Sequence, residues 1–288
     1  MKVFKFLRYS IETIVIIFFF SIFKILGLKN SSIISGKIFK IVGHFFRPKK
    51  TVENNLRIAF PNLSDNEIKK YILEMWEYYG KIFAEYIFLS ELRNNKKANI
   101  KISGIHILEK LKINNDSVVF ISGHFDNFEL MAMYLEKSGI KLSAIYRPLN
   151  NFFMNTIMEK LRTKYICKKQ IKKGRTGIRE SLRLFKEGYS IALMIDQRVS
   201  EGPKINFFNK EAYTTTVPAQ FVKKFNCKVV PINIVRTNNI NFEIKVFEPF
   251  EFKKNDSINE ITLALNKWLE NTIIENPSKW IWSHNRWK

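Results

Sequence analysis

The stretch Val118-Val119-Phe120-Ile121-Ser122-Gly123-His124-Phe125-Asp126-Asn127-Phe128-Glu129-Leu130-Met131-Ala132-Met133-Tyr134-Leu135 decides the fold. Its first four residues are a short apolar run rich in β-branched side chains and read as a buried strand, while its last six continue as a helix. A buried strand that feeds a helix is the building unit of an α/β sheet, and functional groups in such sheets gather at the carboxyl ends of the strands. His124 lies at that end, beside Gly123, which permits close backbone approach.

The same alternation continues along the chain. Candidate strands are Lys101 to Ser103, Ser117 to Ser122, Lys141 to Tyr146, Tyr189 to Ile195, Lys228 to Val235 and Phe242 to Phe247. Helical stretches Asn127 to Lys137, Asn151 to Lys164, Gly177 to Glu187 and Val217 to Phe225 lie between them, and Ile258 to Ile274 follows. The pattern predicts an α/β fold, a single mostly parallel sheet flanked by helices. Upstream the chain reads as helical. Thr51 to Phe60 is stopped by Pro61, and Ser64-Asp65-Asn66-Glu67 is a capping-box start for a helix toward Leu89. Trp76, Tyr79, Phe83 and Tyr86 recur there at helical spacing and read as core.

The N-terminus carries Ile14-Val15-Ile16-Ile17-Phe18-Phe19-Phe20-Ser21-Ile22-Phe23, bracketed by Lys2, Lys5, Arg8 and Lys24. This is the composition of a membrane-anchor helix. Between Glu12 and Lys24 it is shorter than the roughly 20 residues of a spanning helix, and snorkelling of Lys24 extends it to Leu28. No small-residue cleavage pattern follows Phe23, which favours a retained anchor over a signal peptide. The expected organisation is an anchor over 1–28, a helical membrane-proximal segment over 29–95 and the α/β domain over 96–288, with 29–288 forming one unit. The basic, amphipathic stretch Lys37 to Lys50 suits an anionic membrane surface and equally a helix packed on the domain with its charges solvated.

Composition narrows the partners. With 46% hydrophobic and 14% aromatic residues over 288 positions, global disorder is excluded. Lys+Arg 48 against Asp+Glu 26 gives a net charge of +22, which favours acidic partners: anionic lipids, phosphorylated substrates or an acidic carrier protein. Nucleic acid is disfavoured because the charge is dispersed and no recognised binding motif is present. Cys167 and Cys227 have no metal spacing, and His44, His106 and His284 are scattered, so neither a disulfide framework nor a metal site is expected.

His124 is the natural candidate for a general base. Glu129 admits two readings: with Asp126 as helix N-cap it completes a capping box, or its carboxylate accepts a proton from a ring nitrogen of His124 and stabilises the imidazolium. Without a GxSxG elbow or a cysteine nucleophile, the simplest chemistry is direct attack: His124 deprotonates a substrate hydroxyl, which adds to an ester or thioester carbonyl. Arg147 follows a strand in a turn fixed by Pro148, suited to a phosphate or an oxyanion. Asp196 and Gln197 end another strand on the same side. Arg162, Lys164, Lys172, Lys173 and Arg175 read first as a solvated face. Yet Arg162 closes one helix and Gly174-Arg175-Thr176-Gly177 opens another, where an anion is well received.

Gly123-His124-Phe125-Asp126-Asn127-Phe128-Glu129 resembles the HX4(D/E) motif of the glycerophospholipid and lipid A acyltransferase superfamily. It is joined, in order, by Asn55-Leu56-Arg57-Ile58-Ala59-Phe60-Pro61 upstream and by Tyr146-Arg147-Pro148-Leu149-Asn150-Asn151, Ile195-Asp196-Gln197, Phe207-Phe208 and Trp280-Ile281-Trp282-Ser283-His284-Asn285-Arg286-Trp287 downstream. Together these resemble the late acyltransferases of lipid A biosynthesis over nearly the whole chain. The resemblance implies a bacterial inner-membrane enzyme, its catalytic domain on the cytoplasmic side. It would move a fatty acyl group from acyl carrier protein to a hydroxyl on the 3-hydroxyacyl chains of a lipid A precursor, without a cofactor. It makes His124 and Glu129 the catalytic dyad, with Arg147, Arg162, Asp196 and Arg175 binding substrate. A transferase with another glycolipid or lysophospholipid acceptor is the first alternative, and a non-enzymatic basic membrane- or nucleic-acid-binding protein, its histidine incidental, is the remote one. The chain departs from the family pattern at Asn209, where relatives carry Gly, and at Thr214-Thr215-Thr216-Val217-Pro218.

Overall fold

The structure is a computed structural model that describes residues 2–94 and 98–288. Helix α1 (Lys2–Val42) is interrupted at Gly27, which adopts φ 78°, and is followed by α2 (Lys49–Ala59), α3 (Asp65–Glu85) and α4 (Leu89–Arg93). The remainder alternates: β1 (Ile100–Ser103), α5 (Ile105–Ile113), β2 (Val119–Ser122), α6 (Glu129–Lys137), β3 (Leu142–Tyr146), α7 (Phe152–Tyr165), β4 (Lys169–Lys172), α8 (Arg175–Lys186) and β5 (Ser190–Met194). A hairpin, β6 (Lys204–Phe207) and β7 (Lys210–Tyr213), precedes α9 (Val217–Phe225), β8 (Val229–Asn238), β9 (Asn241–Val246) and α10 (Ile258–Glu275).

Seven strands form one sheet in the order β1-β9-β8-β2-β5-β3-β4. Every neighbouring pair is parallel except β8 and β9, which form an antiparallel hairpin, so the sheet is mostly parallel as expected. Its centre matters most for the site. All four residues of β2 are buried, and β2 pairs with β5 in a register that sets Ser122 against Met194. Two residues beyond that pair, His124 and Asp196 emerge side by side at the same edge.

The structure adds elements the sequence did not disclose. Strand β4, Lys169-Gln170-Ile171-Lys172, lies at the edge of the sheet and buries only Ile171, so it lacks an apolar run. Helix α5 starts after Gly104 in the left-handed region. The β6–β7 hairpin turns through Phe208 at φ 53° and Asn209 at φ 56°. Tight hairpins require positive φ, which Asn tolerates well; this accounts for Asn209 standing in place of Gly.

The capping box at Ser64 is present: Ser64 Oγ accepts from the Glu67 amide and the Glu67 carboxylate accepts from the Ser64 amide. The one expected at Asp126 is not. Helix α6 begins at Glu129 with Phe128 at its N-cap and no side-chain cap, and Asp126 stands outside the helix at φ 40°.

Asp126 serves a different purpose. Arg236 on β8 donates from Nε to Asp126 Oδ1 at 2.9 Å and grips both oxygens of Glu85 at 2.6 and 3.0 Å, with all three side chains almost wholly buried. The Arg236 backbone amide donates to Asp126 Oδ2, and Lys279 lies 3.4 Å from the same oxygen. Burial would raise the Asp126 carboxyl; the Arg236 and Lys279 charges outweigh it and hold the pKa below the ordinary value. Glu85 further accepts from Ser32 on α1 at 2.6 Å and from Asn127 at 2.8 Å. Nearby, α1 presses against α3 closely enough that a Cβ on Gly80 would sit 2.3 Å from the Ser35 carbonyl oxygen.

Removing one partner from a buried charge network strands the others, at a cost of about 3–5 kcal/mol. Arg236→Met is therefore expected to lower the unfolding free energy by about that amount, read by chemical denaturation of the detergent-solubilised protein. A loss below about 1 kcal/mol would show that the carboxylates find other partners.

Candidate active site

His124 Nδ1 lies 2.8 Å from Asp196 Oδ1 and 3.1 Å from Oδ2, and the His124 backbone amide donates to Oδ2 at 2.7 Å. Trp280 Nε1 donates to the same Oδ2 at 2.9 Å. The C-terminal segment reaches this point because Phe125 and Trp280 form an antiparallel bridge and the Asp126 amide donates to the Lys279 carbonyl. Asn55 on α2 holds that segment from behind, donating to the carbonyls of Trp282 and His284 at 2.8 and 2.7 Å. Burial of Asp196 would raise its pKa, but the His124 charge and the hydrogen bonds from His124 and Trp280 bring it down to about 2. An ionised Asp196 at neutral pH makes Nδ1 the protonated ring nitrogen, which leaves the Nε2 lone pair for a substrate. Gln197 Nε2, 3.4 Å from His124 Nε2, is the nearest donor to that lone pair. Phe128 meets the imidazole edge to face at 4.6 Å.

Glu129 does not hold His124. Its Oε1 accepts from Arg162 Nε at 3.0 Å, from a second Arg162 nitrogen, and from the Tyr86 hydroxyl at 3.1 Å. The expected contact between Glu129 and His124 is thus replaced. Glu129 starts α6 and turns toward α3 and α7, whereas Asp196 arrives beside His124 through the register of adjacent strands. Burial and the Glu129 carboxylate push the Tyr86 hydroxyl well above its ordinary pKa, so it stays a neutral donor.

These groups open onto a cavity of about 810 Å³. Phe120, Met131, Leu135, Ile166, Leu193 and Ile232 make its apolar walls, and His124, Glu129, Arg147, Arg162, Arg175 and Gln197 all line it. Asp196 supports from beneath, fully buried. Gly177 lets α8 close on β4 at the cavity wall: a Cβ there would lie 1.9 Å from the Lys172 carbonyl oxygen. Five of the six residues singled out in the sequence therefore share one cavity, and the sixth props up His124. Arg47, Lys173 and His284 also line it and were not singled out as site residues. Burial drives the His284 pKa down to about 4, which keeps its ring neutral at physiological pH.

The family described as bacterial lipid A biosynthesis acyltransferase matches residues 1–288. The chain is similar to lipid A biosynthesis acyltransferase 2 of Shigella flexneri, 24% identical over 257 residues that cover 85% of this chain and 80% of the relative. It is similar to the lipid A biosynthesis myristoyltransferase of Escherichia coli strain K12, 22% identical over 79% of this chain and 71% of the relative. It also resembles the palmitoleoyltransferase of the same strain, 23% identical over 84% and 79%. A crystal structure of a 1-acyl-sn-glycerophosphate acyltransferase from Thermotoga maritima superimposes with a TM-score of 0.41 at 12% identity, covering 86% of this chain and 98% of that one.

The Asp196 interaction has a signature in pH. Its folded pKa of about 2 lies below the unfolded value of about 3.9, so the stability it contributes is complete above pH 4 and is lost as pH falls through 2. Denaturation at stepped pH is expected to show a steep loss between pH 4 and 2 in the native protein and a shallower one in Asp196→Asn. Equal slopes would mean that Asp196 is not depressed.

Proposed function

The chain belongs to the bacterial lipid A biosynthesis acyltransferase family, and from that premise we propose that it transfers a fatty acyl group from an acyl carrier protein thioester to a hydroxyl on the 3-hydroxyacyl chains of a lipid A precursor. The observation that carries the chemistry is that His124 offers Nε2 to an apolar cavity while Asp196 holds Nδ1. An acyl chain suits the apolar walls. The acceptor hydroxyl gives its proton to Nε2 as its oxygen attacks the thioester carbonyl, and Asp196 stabilises the imidazolium that forms. The amide of Gln197 is placed to shift from Nε2 to the carbonyl oxygen as that oxygen gains charge. Collapse of the tetrahedral intermediate breaks the C–S bond. The departing thiolate takes the proton from His124, which returns the base to its starting state.

Glu129 belongs in this reading as a positioning residue. It fixes the Arg162 guanidinium at the cavity wall, where a cation can orient a polar or anionic part of either substrate. Arg147 and Arg175 extend the same positive lip.

The reading includes a membrane. Among the described residues one helix, Val3–Phe45, is long and apolar enough to cross a bilayer. Its apolar side chains are widely exposed, Phe4 at 74%, Ile14 at 66%, Phe18 at 62% and Ile25 at 87%. Large exposed apolar surface of this extent calls for lipid or another apolar partner. Residues 2–26, before the break, span about 37 Å at 1.5 Å per residue, against roughly 30 Å of hydrocarbon.

His124→Ala is expected to lower the transfer rate with an acyl carrier protein donor by about 10²–10⁴-fold, while retaining the native unfolding transition. Native turnover in that variant would refute His124 as the base. Glu129→Gln is expected to act chiefly by raising KM, since it loosens Arg162 rather than the imidazole. Deletion of residues 1–28 is expected to move the protein out of the membrane fraction on salt washing, and full retention would assign binding to the basic surface instead.

A further inference from the structure

Beside the main cavity lies a smaller pocket of about 240 Å³ lined by Arg47, Arg147, Arg198, Ser200, His284 and Asn285. Four separate parts of the chain converge there: the turn after α1, the loops after β3 and β5, and the C-terminal segment. None of the three arginines has a carboxylate partner among the described residues, and Arg198 Nε and His284 Nδ1 are buried without any hydrogen-bond partner. Arg198 is held in place by stacking on Tyr213, 5.3 Å from the ring centroid. The nearby Asp196 is committed to His124 and Trp280. Of the remaining carboxylates, Glu201 lines the larger cavity rather than this pocket. Three guanidinium groups lining one small pocket repel one another, Arg198 with a buried Nε–H that has no acceptor, and a tetrahedral oxyanion relieves that repulsion by accepting from each.

We propose that Arg47, Arg147 and Arg198, with His284, form a phosphate-binding subsite beside the main cavity, whose lining shares Arg47, Arg147 and His284. The subsite rests on its own geometry, and the source of its phosphate rests on the function proposed above. Two sources share this chemistry: a phosphate monoester on the sugar of the acceptor and the phosphodiester of the pantetheine arm that carries the acyl group. A phosphate anchored there fixes one substrate at a set distance from Nε2, which converts binding energy into orientation of the reacting group.

The test has two arms. In the first, thermal unfolding of the full-length protein in detergent is followed against inorganic pyrophosphate. Saturable stabilisation is expected, and Arg198→Gln and Arg47→Gln should each raise the half-saturating concentration about tenfold to a hundredfold, with Arg198→Lys falling between. Arg47 is exposed, so loss of folding does not obscure its result. No saturable effect, or the same half-saturation in the glutamine variants, would overturn the proposal. In the second arm, if the acceptor supplies the phosphate, both variants lose the preference for a phosphorylated over a dephosphorylated glycolipid. If the donor supplies it, KM for the acyl carrier protein thioester rises, and the difference disappears with a phosphate-free acyl pantetheine analogue. Saturable pyrophosphate binding in a protein that acylates no glycolipid would sink the proposed function and leave the subsite standing.

Discussion

Arg236 is the constraint on which the site depends. It joins Glu85 at the end of α3 to Asp126 in the loop after β2 while its own backbone belongs to β8. A buried ionic network is a poor source of net stability, because desolvation of the charges offsets most of their attraction. What it does is select an arrangement. Only one packing of the helical N-terminal segments against the sheet brings both carboxylates onto one guanidinium, and that packing also brings Tyr86 to Glu129 and Asn127 to Glu85. The loop between His124 and Glu129 is thus held from behind by charges that never face the cavity.

Within that frame Glu129, expected as the partner of His124, and Asp196, expected at the substrate, take different tasks. Asp196 reaches His124 because parallel strands in register place their carboxyl ends together, and Trp280 donates to the same carboxylate oxygen as the His124 amide. Glu129 lines the same cavity without bonding His124, and orders the Arg162 cation. A capped, ionised Asp196 defines the imidazole tautomer, and Arg162 on Glu129 defines the polarity of the cavity wall. The division leaves Nε2 as the one basic atom of the pair open to substrate.

Much of this was legible in the residues. The β-branched run before Gly123 and the strand-helix alternation after it disclosed the sheet, and the chemistry-bearing positions fell at strand ends as the architecture requires. What stayed hidden was pairing. His124 and Asp196 are 72 positions apart, and no periodicity reports which strands are neighbours. Asp126 looked like a cap because a three-residue spacing to Glu129 is what a cap requires; its long-range partner Arg236 lies in another strand. Strand β4 escaped notice since an edge strand with one buried residue has no apolar signature. Arg47 and Arg198 were invisible for a different reason: among 48 basic residues, two that converge on Arg147 look like any others.

The contact between α1 and α7 carries a last consequence. Asn151 caps α7 by accepting from the amides of Phe153 and Met154, and the same side chain donates to the Tyr9 carbonyl at 3.0 Å and lies 3.3 Å from the Thr13 hydroxyl. Phe6 and Tyr9 add ring contacts to Phe152 and Phe153. The long apolar helix α1 is therefore fastened to the first turn of the helix that carries Arg162. A span of this length adapts to bilayer thickness by tilting. In the membrane setting proposed above, tilt about the break at Gly27 would be transmitted through Asn151 to the rim of the cavity, coupling the proposed catalytic pocket to bilayer thickness.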